Sequence, residues 1–273
     1  SLRLSAWTAR KYDSKVSDRI ASEHAATKDA GRYNKMLLPG EVPSYKVLIQ
    51  HVGTVRVEHY RQTLAWSDEG TRLLPTANYA KYAEFIDSAK TKFAELLETF
   101  LAQYPGMREL AAVRLNGMYR DEDYPPVNSL REKFGMAVDY FPVPVTGDLR
   151  VDLPQSVKDA IEAQIETRVN SATSVAMTDA WQRLYTCVEH LHDRLSTPGA
   201  IFRDSLVTNV QECCEVLSRL NVMSDPQLER MRTETMERLA KHDPDTLRTN
   251  DALRSTVANQ ADNLLSAIRG TRK

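Results

Sequence analysis

Beyond Pro154, apolar residues recur at helical spacing over roughly 40 positions: Val157, Ile161, Ile165 and Val169, then Met177, Trp181, Leu184, Val188, Leu191 and Leu195. An amphipathic pattern sustained this long dictates a helix, and at 1.5 Å per residue it is about 60 Å long. A compact domain built from 273 residues does not need such a length. The helix is therefore expected either to kink, most easily at Asn170-Ser171-Ala172-Thr173-Ser174, or to run through an elongated, coiled-coil-like body. Three further helices are expected behind it. One carries Leu206, Val210, Cys213, Cys214, Leu217 and Leu220, and one is capped at Ser224-Asp225-Pro226. The last follows Asn250 with Leu253, Val257, Ala261, Leu264 and Ile268.

Ahead of this region the periodicity is less regular. Residues 3–36 predict an extended arm and then one modest helix along Val16, Ile20 and Ala25, closed by a turn at Leu37-Leu38-Pro39-Gly40. Tyr45, Leu48, Ile49, Val52 and Val55 favour a helix from the cap at Ser44, with two short strands as the competing assignment because of Gly53 and the β-branched content. A polar loop follows over 66–75. Tyr82, Phe85, Ile86, Ala89, Phe93, Leu96, Leu97, Phe100 and Tyr104 keep one apolar face, which is core by its pattern, until Pro105-Gly106 is expected to stop the helix. A shorter helix over 107–118 comes next, and Asp121-Glu122-Asp123 and Pro125-Pro126 then break the chain. Met136, Val138, Tyr140 and Val143, a turn at Thr146-Gly147-Asp148, and Leu149, Val151 and Leu153 predict a hairpin over 136–153. Pro142 and Pro144 confine its first strand to an edge. A lone hairpin is marginal in water, so it needs helices beneath it or a partner strand from the N-terminal arm or another subunit. The fold class expected is mainly α with a small β-hairpin, at the margin of α+β. Two regions are expected: a basic, aromatic-bearing segment over 1–75 and a helical body over 76–273. No linker separates them cleanly, so one continuous domain is the alternative.

Hydrophobic residues make up 42% of the chain and charged residues 27%, the balance of a folded soluble protein. Ten glycines among many Ala, Leu, Glu and Arg favour helix. The three cysteines, Cys187 and the adjacent Cys213 and Cys214, predict reduced thiols in a cytoplasmic setting. No apolar run approaches the length of a membrane span, so no membrane partner is expected. The chain begins at Ser1 rather than Met, which predicts a processed or trimmed N-terminus.

The net charge is −1, yet the first 82 residues hold 13 bases against 8 acids, leaving +5 there and −6 in the remainder. Trp7, Tyr12, Tyr33, Tyr45, Tyr60, Trp66, Tyr79 and Tyr82 are interleaved with those bases. Cations that follow a phosphate backbone, beside rings on which bases stack, are the ingredients of single-stranded nucleic-acid binding. The bases beyond Lys35 fall on or beside an amphipathic helix, where a solvated face accounts for them. The candidates are therefore Arg10, Lys11, Lys15, Arg32 and Lys35 for phosphates, and Trp7, Tyr12 and Tyr33 for stacking. The ordinary alternative is that these rings pack on the domain with only their polar atoms wet, and that Asp13, Asp18 and Asp29 neutralise nearby cations.

No catalytic signature stands out, and neither cofactor nor metal is expected. Cys187, His190 and His192 lack a common helical face and a second metal-binding pair. His51 and His59 lack a nucleophile in a recognisable elbow. Asp121, Glu122 and Asp123 offer the carboxylates of a metal-dependent nuclease, but solvated acids are ordinary in such a turn. No phosphate-binding glycine loop occurs.

Ser5-Ala-Trp-Thr-Ala-Arg-Lys-Tyr-Asp13, Asp29-Ala-Gly-Arg-Tyr-Asn-Lys35, Thr63-Leu-Ala-Trp66, Arg72-Leu-Leu-Pro75 and Ala200-Ile-Phe-Arg-Asp-Ser205 together resemble a family of phage- and prophage-encoded proteins to which no activity is assigned. The resemblance covers most of the chain and transfers no functional residues. It implies a mobile-element protein in the cytoplasm of a bacterial host, with DNA replication or recombination as its context. The expectation is a non-enzymatic single-stranded DNA-binding protein that forms a homo-oligomer. A helical assembly or adaptor protein without nucleic-acid affinity is the alternative, and a metal-dependent nuclease the third.

Overall fold

The computed structural model describes residues 1–38, 42–66, 70–145, 147, 154–197 and 199–271. In chain order its elements are β1 (Leu2–Ser5), β2 (Arg10–Tyr12), α1 (Ser14–Glu23), β3 (Asn34–Met36), α2 (Pro43–Gln62), β4 (Leu64–Ala65), β5 (Arg72–Leu73), α3 (Tyr79–Leu115), α4 (Val127–Arg131), β6 (Gly135–Val138), α5 (Gln155–Ser196), α6 (Ser205–Leu220), α7 (Pro226–Thr235), α8 (Pro244–Thr249) and α9 (Asp251–Thr271). The fold is mainly α, with three short antiparallel strand pairs among the described residues. None of the described helices is long and apolar enough to cross a membrane.

The contacts divide the chain into two compact units. One takes Leu2–Glu58 and Glu84–Asp139, and the other takes Ser1, His59–Ala83 and Tyr140–Lys273. The boundary expected near residue 75 falls inside the 59–83 stretch, which belongs wholly to the second unit.

In the first unit, Leu48, Val52, Phe93, Leu97, Phe100, Tyr104, Leu130 and Phe134 form the core. Their spacing on α2 and α3 is the helical stripe of the sequence, so α2 is the helix rather than two strands. α3 does not stop at Pro105-Gly106 but continues to Leu115. A mid-helix proline loses one hydrogen bond and crowds the preceding turn. Here Tyr104, Met107 and Ala111 keep the same buried face on both sides of it, and the Tyr104 hydroxyl donates to the Pro125 carbonyl at 3.1 Å. Tertiary burial outweighs the local break.

The expected hairpin over 136–153 is also drawn differently. β6 pairs with β1, from Leu2 opposite Val138 to Ser5 opposite Gly135. The N-terminal arm is thus the partner strand, while 139–145 contain no strand and the proposed return strand 149–153 lies outside the described residues. A Cβ at Gly135 would stand 2.8 Å from Ser5 Oγ, so a larger residue there would require the serine hydroxyl to turn away.

The second unit is a helical bundle around α5, whose 42 residues run without interruption through 170–174. Leu184, Val188 and Leu191 of α5 are buried with Val210, Leu217 and Leu220 of α6 and with Val257, Ala261, Leu264 and Ile268 of α9. Asp225 caps α7 through Oδ1, at 2.8 Å from the Gln227 N–H, and accepts the Trp181 indole N–H through Oδ2 at 3.1 Å. Burial is confined to the second part of α5, since no residue of 155–171 is buried. The short pair β4–β5 is tied to the bundle by guanidinium groups. Arg72 and Arg183 both donate to the Thr63 carbonyl, at 2.9 and 2.7 Å, and both face Asp179.

Candidate nucleic-acid interface

The basic N-terminal residues are organised by a small hairpin and the helix it feeds. β2 and β3 are antiparallel, with Arg10 opposite Met36, Lys11 opposite Lys35 and Tyr12 opposite Asn34. Ala9 enters β2 in the left-handed region, at φ 52°, and its carbonyl accepts the Leu37 N–H at 2.8 Å. Asp13 ends β2 and caps α1, its carboxylate accepting the Val16 N–H at 3.1 Å. Ser17 closes the assembly: its hydroxyl donates to the Asp13 carbonyl at 2.8 Å and accepts the Tyr33 N–H at 3.0 Å.

Because side chains alternate across a pleat, β2 and β3 each present two faces. Lys35 points inward. It is 2% exposed, its ammonium 2.5 Å from Asp123 Oδ2 and 3.9 Å from Asp13 Oδ2, and it donates to the Met118 carbonyl at 3.0 Å. It is therefore a structural cation and not a phosphate ligand, correcting its place among the candidates. Trp7 is likewise half-buried, edge-on to Tyr45 and Tyr104 at 6.5 and 5.9 Å between ring centres. Its carbonyl accepts the Tyr45 hydroxyl at 2.7 Å, so this ring belongs to the core margin rather than to a stacking platform.

The other six candidates are exposed: Arg10, Lys11, Tyr12, Lys15, Arg32 and Tyr33. Arg10 and Tyr12 share the outward face of the hairpin, and the Arg32 guanidinium lies over the Tyr12 ring at 5.7 Å. Lys11 stands opposite Lys35 yet remains in solvent, and Lys15 lies in the first turn of α1. Burial raises the pKa of the nearby Tyr45 phenol, and the charge of Arg10 opposes that rise. Of the neighbouring acids, Asp13 is turned inward against Lys35. Asp18 lies 4.0 Å from Lys28 and Glu23 3.4 Å from Arg19. Asp29 remains on the outside, its pKa lowered by the Thr27 side chain and then by its own backbone N–H.

A pocket of about 350 Å³ opens beside these cations, with Ile20, His24, Gly31, Arg32 and Tyr33 in its wall. Ile20 looks like a core position in the sequence but is exposed at 42%, and Met36 at 47%. Only the position of Met36 opposite Arg10 in the register reveals it as part of this face, and that pairing has no local sequence signal.

The remaining front aromatics disperse. Tyr82 is buried, Tyr60 lies under the Arg72 guanidinium at 4.7 Å, and Tyr79 stands edge-on to Tyr140 at 5.7 Å. The acidic triplet is split as well. Asp121 is bonded to Arg108, which lowers its pKa, and to Tyr119; Glu122 faces Arg120 at 3.6 Å; Asp123 is held by Lys35. Among the described residues, no three His, Cys, Asp or Glu side chains are grouped to hold a metal ion. His51 Nε2 bonds the Ala89 carbonyl at 2.9 Å, and His59 Nδ1 shares a 2.7 Å hydrogen bond with the Tyr82 hydroxyl, so neither faces a nucleophile. Searches with the chain find no matching family model, no matching curated protein and no matching solved structure.

Proposed function

We propose that the exposed side chains of β2–β3 and its flanks, with the first turn of α1, bind single-stranded nucleic acid, DNA in the first instance. The observation that carries this reading is the disposition of charge. Arg10, Lys11, Lys15 and Arg32 are exposed, Arg32 lies over the exposed Tyr12 ring, and the intervening Asp13 is turned inward against Lys35. Arginine and lysine contribute phosphate contacts that release counterions, and the rings offer faces for bases. The context we propose is phage DNA replication or recombination in the cytoplasm of a bacterial host, with the protein self-associated and binding nucleic acid without catalysing a reaction on it.

Fluorescence anisotropy with labelled single-stranded and duplex oligonucleotides at two salt concentrations tests this. The native chain should bind the single strand at low salt and weaken steeply as salt rises. Replacing Arg10, Lys11 and Arg32 together with Ala should weaken binding and flatten the salt dependence by roughly one unit of slope per lost contact. Tyr12→Ala should cost about 1–3 kcal/mol if its ring stacks on a base. Lys90→Ala and Lys133→Ala, exposed cations elsewhere in the same unit, should leave affinity unchanged. Absence of binding at low salt, equal loss in the control variants, or preference for duplex would each defeat the proposal.

One observation favours a second reading, a helical assembly protein. Val157, Ile161, Ile165 and Val169 recur every fourth residue along the part of α5 in which nothing is buried, a stretch of about 25 Å. Stable oligomers by light scattering, with no oligonucleotide binding, would support that reading instead.

A further inference from the structure

Across the seam between α5 and α6 in the second unit, two cysteines face each other. Cys187 Sγ donates to the Asn209 carbonyl at 3.7 Å, and Cys213 Sγ donates to the Arg183 carbonyl at 3.8 Å. Each accepting carbonyl lies one helical turn before the opposing cysteine, so the two thiols occupy matched positions on facing helices. The two side chains are close enough to shift each other's pKa in opposite directions. Both are half-buried and line an open pocket of about 450 Å³ together with Arg183, Thr186 and His190. Cys214 is different: it is buried in the core, and burial pushes its thiol up to about 12.

We propose that Cys187 and Cys213 form a thiol-oxidation site, at which a small external disulfide entering this pocket is reduced and an α5–α6 disulfide is left behind. Facing cysteines on packed helices are the arrangement a bridge requires, since its Cβ atoms must come within about 3.5–4.5 Å. The two thiols are not equivalent. The neighbouring Cys187 thiol lowers the pKa of Cys213, with the Arg183 and Arg61 cations assisting against burial, while the Cys213 side chain and then burial raise Cys187. Thiolate is the attacking form, so Cys213 acts first.

The exchange proceeds in two displacements. The Cys213 thiolate attacks one sulfur of the external disulfide, whose S–S bond breaks; a mixed disulfide forms and one small thiolate leaves and takes up a proton. Cys213 no longer carries the charge that held the Cys187 proton. Cys187 releases that proton, attacks Cys213 Sγ, and displaces the second small thiol. Two protein thiols are oxidised, one external disulfide is reduced to two thiols, and the protons balance.

Oxidised glutathione is the probe. The folded chain is incubated with it, quenched in acid, denatured, alkylated and digested with trypsin. The expected product is about 2 Da lighter before alkylation, as loss of two hydrogens requires. It links the peptide 184–194 to the peptide 204–219 through Cys187 and Cys213, with Cys214 still alkylated. Cys187→Ser should stop at glutathione on Cys213, whereas Cys213→Ser should react about tenfold more slowly at Cys187 or not at all. A Cys213–Cys214 bridge, bridges only between chains, three alkylated thiols, or faster glutathione capture at Cys187 than at Cys213 would each overturn the proposal. Mapping the native chain decides the bridge even if a serine variant fails to fold.

Discussion

Lys35 is one of eight bases within residues 3–35, and its identity does not set it apart from Lys11 or Lys28. What separates it is pairing across β2–β3 followed by burial against Asp123, a residue 88 positions further along. A contact at that separation leaves no trace in a local pattern, whereas the exposure of Arg10, Lys11 and Lys15 follows from ordinary solvation of charged side chains. Lys35→Met should therefore leave Asp13 and Asp123 buried without their cation and destabilise the chain by about 3–5 kcal/mol, read from urea unfolding. Adding Asp123→Asn should recover part of the loss. His59 supplies a second test. Burial, and then the Arg72 charge, lower its pKa from 6.5 to about 4, so the folded chain keeps the ring neutral where an unfolded chain would protonate it. Between pH 6.5 and 4 the unfolded state binds the additional proton, and acid favours unfolding. The destabilisation is absent above pH 6.5 and complete near pH 4. His59→Gln should flatten the fall of urea midpoint with acid over that window, with little change in slope above pH 7.

Helices were legible wherever an apolar stripe marked a buried face, as on α6 and α9, and the cap at Asp225 was readable from Ser224-Asp225-Pro226. α5 shows the limit of that signal. Val157, Ile161 and Ile165 recur at helical spacing as Leu184 and Leu191 do, yet only the later residues meet a core, because periodicity records a helical face and not whether anything covers it. Amide hydrogen exchange should accordingly be fast over 155–171 and slow over 176–195. Leu184→Ala should cost about 2–5 kcal/mol in equilibrium unfolding, while Ile161→Ala should cost well under 1 kcal/mol. Comparable losses at the two positions would show that the early part of α5 is covered in solution. Pro105 failed as a stop signal for the converse reason: packing that a local rule does not see held α3 together. The partner of β6 was readable only as an open choice, since strand pairing with Leu2–Ser5 depends on chain closure over more than a hundred residues.

At the scale of the molecule, the contrast between a basic front and an acidic rear is a contrast along the chain and not between its units. Residues 2–58 and 84–139 hold 17 bases and 16 acids, leaving 19 bases and 21 acids to the other unit. Charge that looks segregated in sequence is nearly balanced in each unit, so any affinity for phosphate must be local to the hairpin. This is why the Lys90 and Lys133 controls are expected to be silent. The interleaving also sets an order of events during synthesis. Residues 2–58 find the rest of their core once position 139 has left the ribosome. The segment His59–Ala83, already made, must wait for Asp179, Arg183 and Arg219, because Ala65, Thr63 and Asn78 bond to those later side chains. With domains acquiring structure as their residues emerge, this segment passes through more than a hundred further residues of synthesis without its partners, and is where a nascent-chain chaperone or protease would find an opening.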